Sequence, residues 1–208
     1  MRIISGKYKG RRIRLASEKT TRPTTDMVRE AWASTLVTLV PGGSFDGLRV
    51  LDAFAGSGAL GLELLSRGAE HCLFLENDKR AFGVLRENIA ALELSEQAAS
   101  AALLDSLSPK LPAFFKTLGS FDLVVLDPPY SLSLKRVQGL LANLAKAGLL
   151  REQTTISYEH AEAQKSGMDG LVLPKTPHPL IVRLVKSKKY GTINLDYYIC
   201  TRAEKEEL

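Results

Sequence analysis

The sequence predicts an α/β fold in which helices cover a mostly parallel β-sheet. Between residues 49 and 160, short apolar runs alternate with longer amphipathic stretches, which is the order of repeated strand-helix units. A glycine-rich segment, Gly56–Gly61, directly follows one apolar run, and a rigid segment, Asp127–Tyr130, follows another. Open α/β sheets bind their ligands at the carboxyl ends of the strands. Both segments are therefore expected at a ligand site.

The individual elements follow from the spacing of apolar residues and from the positions of glycine and proline. The first helix is expected after Pro23, over residues 28–39, and Pro41-Gly42-Gly43 should end it. Strands are expected at Arg49–Phe54, Cys72–Glu76, Ala101–Leu104, Phe121–Leu126, Thr154–Glu159, Ile181–Lys188 and Leu195–Thr201. Further helices are expected at Ala59–Arg67, Lys79–Leu92, Pro109–Leu118 and Leu134–Ala147. The last two strands should form an antiparallel pair around Tyr190-Gly191.

The charge of the chain is concentrated at its start. A length of 208 residues suits one domain with an appendage, and we expect a basic hairpin or arm over residues 1–20, a main domain over 21–202 and a charged tail over 203–208. Residues 1–22 contain eight basic residues against Glu18 alone, although the whole chain carries only +5. Clustered cations release counterions from phosphates, which favours a polyanion-binding arm over a merely solvated terminus. Its candidate binding residues are Lys7, Lys9, Arg11, Arg12 and Arg22.

Several classes of protein and site are not expected from this sequence. Neither a targeting segment nor an apolar run of the roughly 18 residues that span a bilayer is visible, so we expect a cytoplasmic protein. Cys72 and Cys200 have the spacing of neither a disulfide framework nor a zinc site. His71, His160 and His178 are scattered, so we expect no metal.

The segment Asp52–Gly61 lies where an apolar strand passes into a helix. Its glycines permit a tight turn and let a ligand approach the backbone N–H groups at the helix start. The spacing of Gly56, Gly58 and Gly61 also fits a dinucleotide fingerprint, so a nicotinamide cofactor is one interpretation. The Asp52 carboxylate favours another, because it would repel a pyrophosphate and attract the cationic amino-acid end of S-adenosylmethionine. A purely structural turn is the third interpretation.

Two further acids follow the next strands. Glu76 ends the second strand, where its carboxylate could accept both ribose hydroxyls of a nucleoside cofactor. Asp105 follows the third strand and is placed to receive an adenine amino group. An exposed acid at a strand end is the alternative interpretation for Glu76, and the sequence around Asp105 is not distinctive.

The second motif, Asp127-Pro128-Pro129-Tyr130, directly follows a continuous apolar run. Proline has no N–H and a fixed φ, so this strand end presents carbonyls and the Asp127 carboxylate as acceptors with little freedom. Such acceptors suit the two hydrogens of an exocyclic NH2 group, while Tyr130 stacks on the ring that bears it. An ordinary rigid turn is the alternative for this motif alone. Together with the glycine loop, it indicates a methyltransferase for a base amino group.

These motifs resemble those of a known family, the bacterial small-subunit ribosomal RNA guanine-N2 methyltransferases of the RsmD type. The resemblance extends over nearly the whole chain, and the segments Arg2–Arg11, Thr21–Ala31 and Lys189–Gly191 contribute to it. It implies a Rossmann-like class I S-adenosylmethionine-dependent methyltransferase. The implied sheet has seven strands and an antiparallel C-terminal strand, and a small N-terminal β-hairpin binds RNA.

Residue roles follow from the resemblance at matching positions. The implied cofactor residues are Asp52, Ala53, Phe54, Gly56, Ser57, Gly58, Glu76, Asn77 and Asp105. The residues implied for the target amine are Asp127, Pro128, Pro129 and Tyr130. The resemblance also places Arg22, Thr24, Thr25 and Arg29 near the cofactor or the RNA. The chain departs from the family at Leu104, where glycine usually precedes the aspartate, and at Ala53 and Asn77.

The expected function is methyl transfer from S-adenosylmethionine to guanine N2 in 16S ribosomal RNA, by a monomer acting on the RNA or on an assembling small subunit. Three alternatives stand beside it. A DNA adenine or cytosine amino-methyltransferase would share the chemistry, but no separate target-recognition domain is visible. A nicotinamide dehydrogenase is disfavoured by Asp52. A non-catalytic RNA-binding factor is disfavoured by the intact Gly56 and Asp127.

Overall fold

The chain forms two compact units, Met1–Asp105 and Ser106–Leu208. The computed structural model describes residues 1–16, 26–108, 115, 119–161, 167–174 and 178–204. The sites expected at Arg22, Thr24 and Thr25 lie outside the described residues. The helix expected over Pro109–Leu118 also lies outside them, except for Phe115.

The first unit is a parallel sheet with helices between its strands. Its elements are α1 (Asp26–Leu36), a 3-10 turn (Pro41–Gly43), β1 (Arg49–Asp52), α2 (Ala59–Ser66), β2 (His71–Glu76), α3 (Lys79–Ala91) and β3 (Ala99–Leu103). The strand order is β3-β2-β1, and both pairings are parallel. Strand β2 is buried on both faces up to Leu75, as expected of a parallel strand covered by helices. The carboxyl ends of the three strands therefore meet at one edge.

The second unit joins a parallel pair of strands to an antiparallel group. Its elements are β4 (Leu123–Leu126), α4 (Leu134–Lys146), β5 (Thr155–Ala161), β6 (Val172–Leu173), β7 (Leu180–Tyr190) and β8 (Ile193–Arg202). Strands β4 and β5 are parallel. The order β5-β8-β7-β6 continues from them through antiparallel pairings. Among them, β7 and β8 form the expected hairpin around Gly191.

The observed elements confirm the predicted α/β class. All seven expected strands are present, with ends that differ by at most two residues from the predicted ones. The described residues contain an eighth strand, β6, which has only two residues and so leaves no periodic signal in the sequence. The antiparallel part is also larger than one strand, since it includes β6, β7 and β8.

The basic start of the chain is a hairpin-like loop that packs on α2 and α3 within the first unit. Arg2 and Arg12 form an antiparallel bridge, and Ile3 and Ile13 are buried. Gly6 approaches α2 so closely that an added Cβ would lie 1.8 Å from the Ser66 carbonyl oxygen, and its φ of +83° also favours glycine. Residues 1–16 thus form a hairpin-like loop with one antiparallel bridge, and residues 17–20 of the expected hairpin or arm lie outside the described residues.

A fully buried acid on α2 anchors this hairpin. Glu63 accepts hydrogen bonds from the backbone N–H of Ile4 at 2.8 Å and of Ser5 at 3.1 Å. It also accepts one from Arg67 Nε at 2.8 Å. From α3, the Asn88 side chain accepts from the Arg14 N–H at 2.9 Å. The hairpin is therefore held by buried polar contacts as well as by apolar packing.

Candidate active site

The glycine loop leads from β1 into α2 within the first unit. The Ala55 N–H donates to the Leu75 carbonyl at 2.9 Å and ties the loop to β2. Gly58 lies just before α2 in the left-handed conformation, with φ +85°, and its N–H donates to the Ala55 carbonyl at 2.7 Å. Few side chains tolerate such a φ, so the turn depends on glycine here.

The glycines of this loop have different surroundings. An added Cβ at Gly61 would lie 2.3 Å from the Phe74 ring and 2.7 Å from Cys72 Sγ, so this glycine permits close packing of α2 on β2. An added Cβ at Gly56 would meet nothing within 4 Å. The backbone at Gly56 therefore borders open space that a ligand could use, whereas Gly61 has a packing role.

Asp52 is a buried acid at the end of β1, only 1% exposed. Its Oδ2 accepts the Gly61 N–H at 3.1 Å. Its Oδ1 is buried without a hydrogen-bond partner among the described residues. Burial raises the pKa of Asp52 to about 7, against the opposing effect of the backbone N–H groups of Gly61 and Phe54. An oxygen in this state fits a cationic donor such as an ammonium group, because a positive charge would offset the cost of burial.

Glu76 lies at the carboxyl end of β2, beside the glycine loop. Its Oε2 accepts the Gly56 N–H at 2.7 Å, and its Oε1 accepts the Asp78 N–H at 2.7 Å. The Asp78 side chain in turn caps α3 by accepting from Arg80 and Ala81 N–H groups. These contacts fix the Glu76 carboxylate in position, and each oxygen keeps a lone pair for a further donor.

The other residues expected at the cofactor lie on the same edge of this sheet. Asp105 is exposed and follows β3, next to Leu104, whose N–H donates to the Glu76 carbonyl at 2.8 Å. Asp52, Glu76 and Asp105 thus follow three adjacent parallel strands, which are spaced about 4.8 Å apart. The remaining expected positions are buried Ala53, half-buried Phe54 and Ser57, and exposed Asn77.

The second group of expected residues lies in the second unit, directly after β4. Asp127 is half-buried and Pro128 is buried, while Pro129 and Tyr130 are exposed. The Pro129 carbonyl accepts the Leu132 N–H at 2.8 Å, which closes a turn behind the motif. The Tyr130 side chain is 44% exposed. Its ring is therefore accessible for stacking.

Sequence reasoning missed Glu159, which holds Tyr130. The Tyr130 hydroxyl donates to Glu159 Oε1 at 3.1 Å, so the exposed ring is fixed at its far end. Burial raises the pKa of Glu159, and the Tyr130 hydrogen bond and the neighbouring His160 oppose that shift. An available signal was its position near the carboxyl end of a strand, the same signal that identified Glu76.

The basic residues divide into exposed and buried ones. Lys7, Lys9, Arg11 and Arg12 of the docked hairpin are all exposed. Arg29 differs from the expectation of RNA contact, since it is 1% exposed and its Nη2 donates to the Arg2 carbonyl and to Asp26 Oδ1, both at 2.8 Å. A side chain so placed fixes the hairpin to α1 and does not form part of a surface for RNA.

In the described residues, no group of three or more His, Cys, Asp and Glu side chains is arranged to hold a metal ion. Among the same residues, no helix has the length and hydrophobicity needed to cross a membrane.

Comparison with known proteins gives matches along the whole chain. Residues 1–199 match the family described as conserved hypothetical protein 95. A Bacillus subtilis protein named as an rRNA methyltransferase, YlbH, is 35% identical over 95% of this chain and 98% of its own length. Ribosomal RNA small subunit methyltransferase D of Buchnera aphidicola subsp. Baizongia pistaciae is 31% identical over 96% of this chain and 91% of its own.

A solved structure agrees with these sequence matches. The Escherichia coli protein yhhF, titled as a methyltransferase, covers 98% of this chain and 99% of its own, with a TM-score of 0.73 and 27% identity. This likeness confirms the Rossmann-like class I methyltransferase fold. The chain thus belongs to the family described as conserved hypothetical protein 95, that of the RsmD-type methyltransferases.

Proposed function

We propose that the protein transfers a methyl group from S-adenosylmethionine to the exocyclic N2 amino group of a guanine in small-subunit ribosomal RNA. The observation that carries the proposal is the Asp127–Tyr130 loop, where rigid acceptors stand beside an exposed aromatic ring held by Glu159. The names of the relatives support ribosomal RNA as the substrate. The resemblance of Arg2–Arg11 and Thr21–Ala31 to guanine-N2 enzymes supports the choice of base.

Three acids of the first unit would hold the cofactor. Asp52 would accept from its ammonium group, since Oδ1 is buried without a partner among the described residues. Glu76 would accept the ribose hydroxyls, because a carboxylate has about four acceptor sites and the Gly56 and Asp78 N–H groups occupy two. Asp105 would receive the adenine amino group. The bound cofactor would supply an electrophilic methyl group on a sulfonium, which is already a good leaving group.

The residues of the second unit would prepare the target nitrogen. The lone pair of a guanine NH2 group is delocalised into the ring, which makes the nitrogen a poor nucleophile. Hydrogen bonds from that group to the Asp127 carboxylate and to neighbouring carbonyls would favour a pyramidal nitrogen with a localised lone pair. Tyr130 would stack on the flipped-out base. Once the nitrogen carries the methyl group and a positive charge, Asp127 would accept the departing proton.

The docked hairpin would bind the RNA backbone. Lys7, Lys9, Arg11 and Arg12 are exposed along a short stretch of chain, and each phosphate that they neutralise would release about one counterion. We propose that this enzyme acts as a monomer in the cytoplasm, where small subunits are assembled.

The direct test is nucleoside analysis after labelling. The purified protein would be incubated with radiolabelled S-adenosylmethionine and with small-subunit particles from cells that lack it. Label in N2-methylguanosine is the expected result. Label in methylated adenine or cytosine would contradict the choice of base, and an absence of label despite measured cofactor binding would contradict methyl transfer to this RNA.

Asp127→Ala tests the assignment of the acceptor residue. Turnover should be lost while cofactor affinity stays within a few-fold, because Asp127 is assigned to the target nitrogen and not to the cofactor. Titration calorimetry and the labelling assay measure the two quantities. Glu152→Gln removes an exposed acid from the same unit and should change neither. An equal loss of cofactor binding in Asp127→Ala would contradict the assignment.

A further inference from the structure

The β7–β8 hairpin presents a basic face that the proposed function has not used. Side chains alternate between the two faces of a strand. In the register of this hairpin, Arg183 lies opposite Ile199, Lys186 opposite Tyr197, Lys188 opposite Leu195 and Tyr190 opposite Ile193. The β8 partners are all odd-numbered and share one face. Arg183, Lys186, Lys188 and Tyr190 therefore share that face too, and we call them the hairpin strip.

A β-bulge is responsible for this alignment. The register shifts between Leu184 and Lys186, which leaves Val185 without a partner residue. In a regular strand, Lys186 and Lys188 would point to the face opposite Arg183, since a shift of one residue reverses the side chains. The bulge restores all three cations to one face, and bulges commonly redirect side chains near functional sites.

The hairpin strip lies on the same face of the sheet as the residue that holds Tyr130. Leu195 pairs with Lys188 on one side and with Glu159 on the other. Lys188 and Glu159 are therefore in one row across three strands, about 10 Å apart at the backbone. The Tyr130 hydroxyl bonds to Glu159 on this face. A nucleic acid whose base stacks on Tyr130 would bring its neighbouring nucleotides within reach of this strip.

This face carries a net positive charge, and Lys186 and Lys188 have no ion-pair partner among the described residues. On this face of β5, β7 and β8, Glu159 is the only acid, and it is bound to Tyr130. Asp196 lies on the opposite face, where it pairs with His160 at 2.9 Å and accepts from Ser187. Among the described residues, Lys186 and Lys188 form no ion pair. Cations without intramolecular partners, next to an aromatic, suit phosphates and an unstacked base.

We propose that the hairpin strip is a second RNA-binding site, separate from the N-terminal hairpin. Arg183, Lys186 and Lys188 bind phosphates of the nucleotides that flank the target guanine, and Tyr190 stacks on one of their bases. The inference rests on the proposed function, because it takes ribosomal RNA as the substrate and Tyr130 as the contact of the target base.

The test compares a double variant with the parent protein. Lys186→Ala/Lys188→Ala should bind 16S ribosomal RNA more weakly, and the slope of log K against log salt should become shallower by about 1.4 to 1.8, for two lost phosphate contacts. The apparent KM for RNA should rise while kcat at saturation changes little. Tyr190→Ala should lose about fivefold or more in RNA affinity and Tyr190→Phe should lose little, because stacking uses the ring.

The control is Lys146→Ala, which removes an exposed lysine from the last turn of α4. It should leave the salt slope unchanged, and thermal unfolding should show that every variant is folded. If the parent is active and the double variant has an unchanged salt slope, this inference is overturned while the proposed function stands. A loss seen only with assembled particles, with the salt slope intact, would also overturn it and indicate a protein contact. A parent that neither binds nor methylates the RNA would refute the proposed function itself.

Discussion

The state of Asp52 predicts how cofactor binding depends on pH. Burial raises its pKa to about 7, so about one-tenth of the free protein has the carboxylate at pH 6 and about nine-tenths at pH 8. A cationic cofactor should bind the ionised form. Its affinity should therefore be about tenfold weaker at pH 6 than at pH 8, and binding at pH 7 should release about half a proton.

The same shift has a consequence for stability. The pKa of Asp52 is higher in the folded protein than its ordinary value of 3.8. The neutral form of Asp52 therefore leaves the folded protein most stable below about pH 4. The free energy of unfolding decreases as the pH rises from about 4 through about 7, where the buried acid ionises. Asp52→Asn cannot ionise. Relative to the parent, its free energy of unfolding should improve by roughly 2 to 3 kcal/mol between pH 5 and pH 8.

Calorimetric titration with S-adenosylmethionine, in buffers of different ionisation enthalpy, measures both the affinity and the released proton. Asp52→Asn should bind weakly at every pH and release no proton. Asp105→Asn is the matched control, since it should weaken binding but keep the dependence on pH. An affinity of the parent that is flat between pH 6 and pH 8 would refute this account of Asp52.

Three further predictions concern other parts of the structure. Glu63→Ala should lower the free energy of unfolding by about 3–5 kcal/mol in a urea titration, because it leaves buried donors unpaired. Glu30→Ala removes a half-exposed partner of Arg67, which also binds Glu63, and should lower it by less than about 1 kcal/mol. Similar losses in the two variants would contradict the anchoring role of Glu63. Gly61→Ala should destabilise the protein by about 1–3 kcal/mol through its clash with β2. Gly139→Ala in α4 should be neutral or stabilising, because an added Cβ meets nothing there. A neutral Gly61→Ala variant would refute the packing role of Gly61. Tyr130→Phe should keep most of the methylation rate and Tyr130→Ala should lose it, and equal losses would contradict the stacking role.

The sequence predicted those parts of the fold and site that depend on local patterns. Apolar runs located the strands, and glycine and proline located the turns that follow β1 and β4. The carboxyl-end rule then placed Asp52, Glu76 and Asp105 on one edge of the first unit, as observed. These inferences hold because parallel strands run in the same direction. Their carboxyl ends therefore lie at one edge of the sheet, whichever contacts distant residues make.

Contacts between residues far apart in the chain could not be predicted in this way. Glu63 resembles any acid on an amphipathic helix, yet it is fully buried under Ile4 and Ser5, 58 or more residues away. Arg29 resembles any exposed helix cation, yet it is buried against the same hairpin. Burial of a charge depends on which segment covers it, and composition does not contain that information.

The two basic surfaces differ in how far the sequence alone predicts them. A count of charges finds the N-terminal hairpin, because residues 1–22 contain eight basic residues against Glu18 alone, but such a count does not show that Arg183, Lys186 and Lys188 share one face. Strict alternation along β7 would divide these three cations between two faces. They form one strip because Val185 is bulged, and the register of two strands is needed to see it. The variant Ser187→Lys/Lys188→Ser, which exchanges these two residues, should therefore move one lysine to the face of Asp196 and weaken RNA binding at an unchanged net charge, which a salt titration would measure. Unchanged binding would show that total charge, and not its placement on one face, determines affinity for RNA.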